Sequence, residues 1–410
     1  MKKTIIIVIL SLLASLVASA QVVYSERLVE LAKQGNVNAQ LYLAEFYRNG
    51  TGGVNQDHQK ALYWYKRAAE EGVSTAQHQV GYYYYAGVGG LQDYSRAIYW
   101  FEKAANQGVA ASQQMLGLCY EKQKDYAQAV SWYKKAADQG FAASQQQLAQ
   151  CYEHGKGVQV DFAQAASWYK KAANHGDVGA ICKVGECYEF GRGVQQDSHK
   201  AFEWYQKAFD EGYKYAVVQL GRCYYEGIGV AQDYETAASL FQEAAEYGFE
   251  IGQFLIGKCY YDGKGVHQDY YKAMEWFSKA AEKNALSAKY FIGRLYLEGK
   301  GVEKNYKSAY TWFSICQDLP IAKTSLGEMY FHGYYVEQNY DKAFELFSEA
   351  ATAAKFPSGN AMNMLSTCYR FGYGTTKDLE KADYWLKMAQ ETGSEEANNI
   401  KQLLEQYNMY

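Results

Sequence analysis

The chain has 410 residues, of which 49% are hydrophobic and 21% charged, with a formal net charge of −4 and only 2 prolines. This composition excludes a disordered or collagen-like chain, and the acidic balance disfavours duplex nucleic acid as a partner. Glycine is frequent, at 37 residues, while proline is scarce, which favours many short helices that end at glycine.

The first predicted element is a secretory signal over residues 1–20. Lys2 and Lys3 precede an apolar run from Ile5 to Val17, and Ala18-Ser19-Ala20 places small residues before Gln21. A charged segment, an apolar segment and a small-residue cleavage site are typical of a cleavable signal peptide. We therefore expect an exported protein, periplasmic or secreted, whose mature chain begins at Gln21 and lacks a transmembrane segment.

A repeated unit occupies most of the remaining chain. A Leu, Val or Ile followed by Gly recurs, in most cases at steps of 36 residues, from Val80-Gly81 to Leu326-Gly327. The remaining positions are held by Leu43-Ala44, Leu148-Ala149 and Leu365-Ser366, which gives ten copies over residues 38–396. A fixed period of about 20–50 residues indicates a stacked array rather than a globular domain.

Each copy predicts two helices, as the seventh copy illustrates. Its first helix runs up to Tyr261 and ends at Gly263. In its second half, Ala273, Trp276 and Phe277 begin an apolar stripe at helical spacing, and Asp269 directly precedes it. Asp or Asn stands at this position in all ten copies, where its side chain can accept the free N–H groups of a helix start.

The turn Gly263-Lys264-Gly265 is similar in composition to a phosphate-binding loop. Such a loop needs a lysine followed by Ser or Thr, and a preceding strand, and the sequence has neither here. We therefore interpret both glycines as turn residues between two helices, with Lys264 as a replaceable spacer.

The complete unit, A-x-x-x-L-G-x-x-Y-x-x-G-x-G-V-x-x-D-Y-x-K-A-x-x-W-Y-x-K-A-A-x-x-G, resembles the Sel1-like repeat, a relative of the tetratricopeptide repeat. The resemblance extends from Tyr24 to Tyr410, although the third copy, over Cys119–Asp125, lacks the Gly-x-Gly-Val turn. It implies an all-α fold, a right-handed α-solenoid superhelix of about ten helix hairpins that binds proteins or peptides on its concave face.

Both ends of the array match the expected capping helices. Residues 21–37 contain SERLVELAKQGN, which resembles a lone second helix. Residues 397–410 carry Ile400, Leu403 and Leu404 on one helical face with polar residues elsewhere. Helices with a polar outer face are expected at the ends of solenoids.

Eight cysteines in an exported chain raise the question of disulfides. Six of them share one position in the repeat, where stacked neighbours lie about 10 Å apart, too far for a disulfide. We predict that these six are small buried hydrophobes: Cys119, Cys151, Cys187, Cys223, Cys259 and Cys368. Cys182 and Cys316 stand outside the pattern, and a disulfide involving them stays open. No His or Cys spacing predicts a metal site.

Two further patterns resemble functional sites. All eight tryptophans occupy one second-helix position, which favours a core role over a sugar-binding platform. Ser131-Trp-Tyr-Lys134 and Ser167-Trp-Tyr-Lys170 match the Ser-x-x-Lys of penicillin-recognising enzymes, but Ser-Asp-Asn and Lys-Thr-Gly partners are missing. We assign no catalytic residue, cofactor or metal.

The candidate binding residues lie at first-helix positions that the repeat does not dictate. By analogy with tetratricopeptide repeats, these positions face solvent on the concave side. A basic row in copies six to eight stands beside an apolar row, and together they would suit an extended peptide with an acidic stretch or a free carboxylate. The peptide-binding residues are Arg222, Lys258, Arg294, Tyr225, Tyr261 and Leu297.

The leading functional prediction is a non-enzymatic exported scaffold that binds a protein or peptide. The alternative is a hydrolase of the disulfide-rich Sel1-like type, acting on beta-lactams or cell-wall peptides. A third possibility is an adaptor of the endoplasmic reticulum, for which the ending Tyr407-Asn-Met-Tyr410 offers no retention signal.

Overall fold

The structure, a computed structural model, describes residues 23–90 and 92–392. Within these ranges the chain is built from α-helices, and no strand occurs. It divides into two compact units, one up to Asp197 and one from Ser198 onward, so the boundary separates the two helices of the fifth copy. The predicted signal over residues 1–20 and the predicted capping helix over residues 397–410 lie outside the described residues.

The first unit contains ten described helices. They are α1 Glu26–Lys33, α2 Val37–Asn49, α3 His58–Glu70, α4 Ser74–Ala86, α5 Tyr94–Asn106, α6 Ala110–Lys122, α7 Tyr126–Asp138, α8 Ala142–His154, α9 Phe162–Asn174 and α10 Val178–Phe190. Each even-numbered helix from α2 to α8 packs against the next helix as a hairpin, and successive hairpins stack. In α1, Leu28 and Ala32 are buried in the same apolar cluster as Leu43 of α2.

The second unit contains eleven described helices. They are α11 Ser198–Asp210, α12 Ala216–Glu226, α13 Tyr234–Glu246, α14 Glu250–Asp262, α15 Tyr270–Glu282, α16 Leu286–Glu298, α17 Tyr306–Ile315, α18 Pro320–His332, α19 Tyr340–Ala351, α20 Gly359–Phe371 and α21 Leu379–Glu391. Each helix again contacts its neighbours in the chain, so each unit is an α-solenoid of stacked hairpins. The predicted all-α solenoid fold is confirmed.

The predicted helix starts are observed. Asp269 is the N-cap of α15, and its carboxylate accepts the backbone N–H of Tyr271 and of Lys272, both at 3.0 Å. The same arrangement recurs at Asp57, Asp93, Asp125, Asp161, Asp233, Asn305, Asn339 and Asp378. Each cap stabilises its helix by about 1 kcal/mol. The predicted stop is observed as well, since Asn284 takes a left-handed φ of 71° where most copies have glycine.

The small residue of each first helix lets the second helix approach closely. A Cβ built on Gly117 would lie 2.3 Å from the ring of Tyr133, and one on Gly257 would lie 2.9 Å from the ring of Phe277. Both rings are fully buried. A side chain at these glycines would therefore displace a fully buried aromatic ring of its own hairpin.

A hydrogen-bonded relay of glutamines joins neighbouring copies in the first unit. Gln77 of α4 donates its amide to the carbonyl of Ala69 at the end of α3, at 3.1 Å. Its own amide oxygen accepts from Gln107, the C-cap of α5, at 2.8 Å. Gln113 and Gln139 repeat the arrangement one copy later. The relay satisfies helix-end carbonyls that would otherwise be buried without a donor.

Candidate functional site

The basic row predicted for the second unit is largely buried. Arg222 of α12 and Lys258 of α14 are only 3% and 8% exposed, and Arg294 of α16 is half-buried. The expectation that all three side chains face solvent is therefore wrong for Arg222 and Lys258. For Lys258 a physical reason is visible: its ammonium lies 5.4 Å from the ring centre of Phe291, on the next first helix.

Each cation of this row is paired with an acid one turn further along its own helix. Arg222 lies 3.9 Å from Glu226, and Lys258 pairs with Asp262. In α16, Arg294 Nε donates to Glu298 at 2.6 Å. Because every cation has a carboxylate partner, the row carries little net charge.

The protonation of Glu298 reflects this pairing. Burial opposes its ionisation, but hydrogen bonds from Lys300 and Arg294 outweigh burial and hold the pKa of Glu298 below its usual value. The carboxylate therefore stays charged and continues to neutralise Arg294 at neutral pH.

The apolar row is half-buried and packs into the core of the second unit. Tyr225, Tyr261 and Leu297 all contact the same apolar cluster. The ring of Tyr261 lies 5.2 Å from that of Phe291 in an edge-on arrangement. Burial raises the pKa of Tyr225 and of Tyr261. The structure thus brings the apolar row together, but as part of the core.

The turn between the helices of each hairpin contacts the preceding copy. Lys264 Nζ lies 5.0 Å from the ring centre of Tyr225 and 5.4 Å from that of Tyr234. The description of Lys264 as a replaceable spacer was therefore incomplete. At the equivalent position two copies later, Tyr334 stacks on Tyr306 at 4.7 Å, so an aromatic ring substitutes for the cation there.

The second glycine of this turn makes the closest approach. Gly265 has a left-handed φ of 72°, and a Cβ built on it would lie 1.8 Å from the carbonyl oxygen of Tyr234. Glycine is thus required here for two reasons, its backbone conformation and its contact with the preceding copy.

The first unit presents an open first-helix face, which we define as the outward side of α2 and α4. Tyr42 of α2 and Tyr82 of α4 are 46% and 45% exposed. Between these two helices lies a cavity of about 320 Å³. Its lining is Asn38, Leu41, Tyr42, Glu45, Tyr65, Thr75 and Gln79. A volume of about 300–1,000 Å³ is usual for binding pockets.

A carboxylate lines this cavity. Glu45 accepts a hydrogen bond from the Tyr65 hydroxyl at 2.5 Å and pairs with Arg48 at 2.7 Å. Burial and the hydrogen bond to Glu45 raise the pKa of Tyr65. The hydroxyl therefore stays protonated and fixes the orientation of the carboxylate.

Paired tyrosine and glutamate side chains recur in later copies of the first unit. The hydroxyl of Tyr133 donates to Glu121 at 2.9 Å, and that of Tyr169 donates to Glu153 at 2.6 Å. Phe101 takes the tyrosine position in a copy with no such acid. Sequence reasoning missed these pairs, although the joint presence of Tyr and Glu in the same copies was a usable signal.

The cysteines behave as the sequence predicts. All eight are free and buried, including Cys182 and Cys316. Burial raises the pKa of the Cys119 thiol to about 12. Among the described residues, no group of three or more His, Cys, Asp or Glu side chains could hold a metal ion.

The tryptophan prediction holds in the first unit and needs correction in the second. Trp64, Trp100, Trp132 and Trp168 are at most 9% exposed. Trp276 of α15, in contrast, is half-buried and borders an open cleft. Its position in the repeat therefore did not decide its burial.

The Ser-x-x-Lys matches lie on the outer side of second helices. Ser131 and Ser167 are both exposed. The ammonium of Lys170 donates to the hydroxyl of Tyr188 at 3.1 Å. This arrangement directs Lys170 toward the neighbouring first helix.

The geometry defines a class of protein, an α-solenoid of helix hairpins with an open face between first helices. The Sel1 repeat model matches ten segments of the chain. They are residues 37–73, 74–109, 110–141, 142–177, 178–213, 214–249, 251–284, 286–315, 320–354 and 359–391. The chain belongs to the Sel1 repeat family.

Two solved structures are similar over most of the chain. One is a protective antigen present in uropathogenic Escherichia coli strains with an SLR fold, 29% identical, covering 95% of this chain and 93% of the other, with a TM-score of 0.64. The other is a Sel1 repeat protein from Oxalobacter formigenes, 29% identical, covering 74% and 90% respectively, with a TM-score of 0.61. A search of curated proteins found no match. Within the described residues, no helix has the length and apolar character to cross a bilayer.

Proposed function

We propose that this chain is a non-enzymatic scaffold that binds a protein or peptide, and that binding occurs on the first-helix face of the first unit. The observation that carries the proposal is the cavity between α2 and α4, which the exposed Tyr42 lines. Tyr82 of α4 is exposed as well. Exposed tyrosines supply large apolar contact area together with a hydroxyl, which is why they are enriched at interfaces. The side-chain amides of Asn38 and Gln79 can donate to and accept from a peptide backbone.

The proposal includes export to the periplasm or the cell exterior. The apolar segment at residues 5–17 and the small residues before Gln21 support it. The similar E. coli protein is described as a protective antigen, which favours a location accessible to antibodies. Detection of a mature chain beginning at Gln21 in the periplasmic or culture fraction tests this part. An unprocessed chain in the cytosolic fraction contradicts it.

The binding face is tested by site-specific photocrosslinking in the native host. p-Benzoylphenylalanine replaces Tyr42 or Tyr82, and Tyr63, an exposed residue of the second helix α3, is the matched control position. We expect one discrete adduct from positions 42 and 82 and a weak or different pattern from position 63. Equal yields of the same adduct from position 63, or no adduct at the two test positions, contradict the assignment.

The finer proposal of an acidic ligand concerns Arg294, because Arg222 and Lys258 are buried. Such a ligand would have to replace the carboxylate of Glu298 as the partner of Arg294. The half-buried Arg294 is the accessible test position, since substitution of the other two would disturb the core. A fluorescein-labelled hexaglutamate peptide should bind more weakly to Arg294→Gln and with less salt dependence. Unchanged affinity and salt dependence would exclude an acidic peptide as a ligand of Arg294. That result would not contradict binding on the first-helix face.

A further inference from the structure

A second cavity lies in the other unit, on the side of the second helices. It has a volume of about 470 Å³ and opens between α13 and α15, with α14 and the following turn as its floor. Trp276 of α15 and Tyr260 of α14 provide aromatic surface, while Ile256 and Val266 provide apolar surface. We call this site the Trp276 cleft.

A small residue of α13 lines the cleft. Ala238 stands five residues after the N-cap Asp233 and borders the cleft. Seven other copies carry a larger apolar residue at this position: Leu62, Ile98, Val130, Phe202, Met274, Tyr310 and Phe344. Ser239, the next residue, is also small and lines the same opening. Ala166 is the one other alanine at the position of Ala238, so most copies carry a side chain that would fill this space.

The rim of the cleft combines both charges with neutral polar groups. Glu235, Ser239 and Gln242 come from α13, and Lys272 and Glu275 come from α15. Two of the charged groups have partners, because Glu275 pairs with Lys279 at 2.8 Å and Lys272 lies 5.0 Å from the ring of Tyr260. Among the described residues, no ion pair or hydrogen bond engages the carboxylate of Glu235 or the hydroxyl of Ser239.

These features favour a neutral ligand that has both an apolar face and several hydroxyl groups. A strongly charged ligand of either sign would meet at least one like charge on the rim, which carries Glu235, Lys272 and Glu275. A purely apolar ligand would bury the carboxylate of Glu235 and the hydroxyl of Ser239 without partners, which is unfavourable. A pyranose ring has C–H groups that can contact an aromatic ring and hydroxyls that can donate to a carboxylate and exchange hydrogen bonds with serine and amide groups.

We propose that the Trp276 cleft binds a pyranose unit of a neutral saccharide. The apolar face of the sugar would contact Trp276 and Tyr260 in place of the ammonium groups of Lys279 and Lys272, which lie 4.1 and 5.0 Å from the ring centres. Glu235, Ser239 and Gln242 bind its hydroxyls. This site lies in the second unit and on second helices, so it is separate from the peptide-binding face proposed above.

The test is an NMR titration of the full chain with maltose, cellobiose, lactose and chitobiose. The indole N–H resonance of Trp276 is assigned with the variant Trp276→Phe. We expect at least one sugar to shift this resonance saturably, with a dissociation constant in the millimolar range. If none of the four sugars shifts it at concentrations up to about 20 mM, the proposal is overturned.

A variant that fills the cleft provides the decisive control. Ala238→Met introduces the side chain that the next copy carries at Met274, and should leave the circular dichroism spectrum and Tm intact. We expect it to weaken sugar binding by about tenfold or more. Ala166→Met makes the same change at the equivalent position of the fourth copy, in the first unit, and should leave binding unchanged. Undiminished sugar affinity in a folded Ala238→Met protein overturns the assignment to this cleft.

Discussion

The glutamine relay of the first unit is incomplete in the first copy, which gives a specific prediction of a stabilising substitution. Gln40 of α2 is 1% exposed and donates to the carbonyl of Ala32 at 3.1 Å. Among the described residues, no donor reaches its amide oxygen. The donor position, the C-cap of the following helix, is held by Glu71, whereas Gln107 and Gln139 stand there in the next two copies. We therefore expect Glu71→Gln to complete the relay.

The expected gain follows from three contributions. A buried acceptor without a donor costs about 1–3 kcal/mol, which the new hydrogen bond relieves. Removing a carboxylate from a helix C-terminus stabilises the helix by a further 0.3–1 kcal/mol or about that amount. Ordering the glutamine side chain opposes this by up to about 1.5–2 kcal/mol. The net result is an increase of about 1 kcal/mol in the free energy of unfolding, or about 2–4 °C in Tm for a unit of this size.

Urea unfolding monitored by circular dichroism measures this gain, and hydrogen exchange of the amides in α1 to α3 localises it. Glu70→Gln is the matched control, since it removes the same charge from an exposed neighbouring position. A double-mutant cycle with Gln40→Met isolates the hydrogen bond from the effect of charge. The reasoning is refuted if Glu71→Gln gives no gain over Glu70→Gln, or if the whole gain persists when Gln40 is methionine.

Three further predictions concern the core and the turns. Gly265→Ala should lower the free energy of unfolding by about 1–3 kcal/mol more than Gly263→Ala. Both glycines have a left-handed φ, but only a Cβ at position 265 would lie within 1.8 Å of a carbonyl oxygen. Equal urea midpoints for the two variants would contradict this. Tyr133→Phe should lower the free energy of unfolding by about 1–3 kcal/mol, because it removes the donor to Glu121. Phe101→Tyr should also destabilise the protein, because its copy has no equivalent acid to accept the new hydroxyl. A stabilised Phe101→Tyr variant would be the contrary result. Burial raises the pKa of the Cys259 thiol to about 12, whereas an unfolded thiol has a pKa of 9.0. The unfolded chain therefore loses this proton first, and the free energy of unfolding should fall as the pH rises from 9 toward 12. Native cysteines should resist a thiol-reactive dye at pH 8, and rapid labelling without unfolding would contradict their burial.

Periodicity in the sequence was sufficient to predict the helix hairpins and their ends. Asp269 and Asn284 mark the start and the stop of α15 through interactions within a few residues of the chain. Such local signals depend little on the surroundings, which is why they could be read directly. The buried cysteines were predictable for a related reason, since a shared position in the repeat implies a shared environment.

The candidate site was harder to predict, because exposure depends on neighbouring copies. Arg222 and Lys258 occupy positions that the repeat leaves variable, and variability suggested solvent. The ring beside Lys258, that of Phe291, belongs to the following copy. The cavity beside Tyr42 could be found only once the packing between α2 and α4 was known.

The sequence by itself determined the all-α array, its hairpin length, its caps and its glycine turns, since each depends on contacts within one copy. Only the tertiary structure decided which variable side chains reach solvent. Lys258 is buried beside Phe291 of the following copy, and the partly exposed Trp276 shares its cleft with the small Ala238 of the preceding copy. Stacking brings those side chains together from copies that are distant in sequence, and no single copy specifies the outcome.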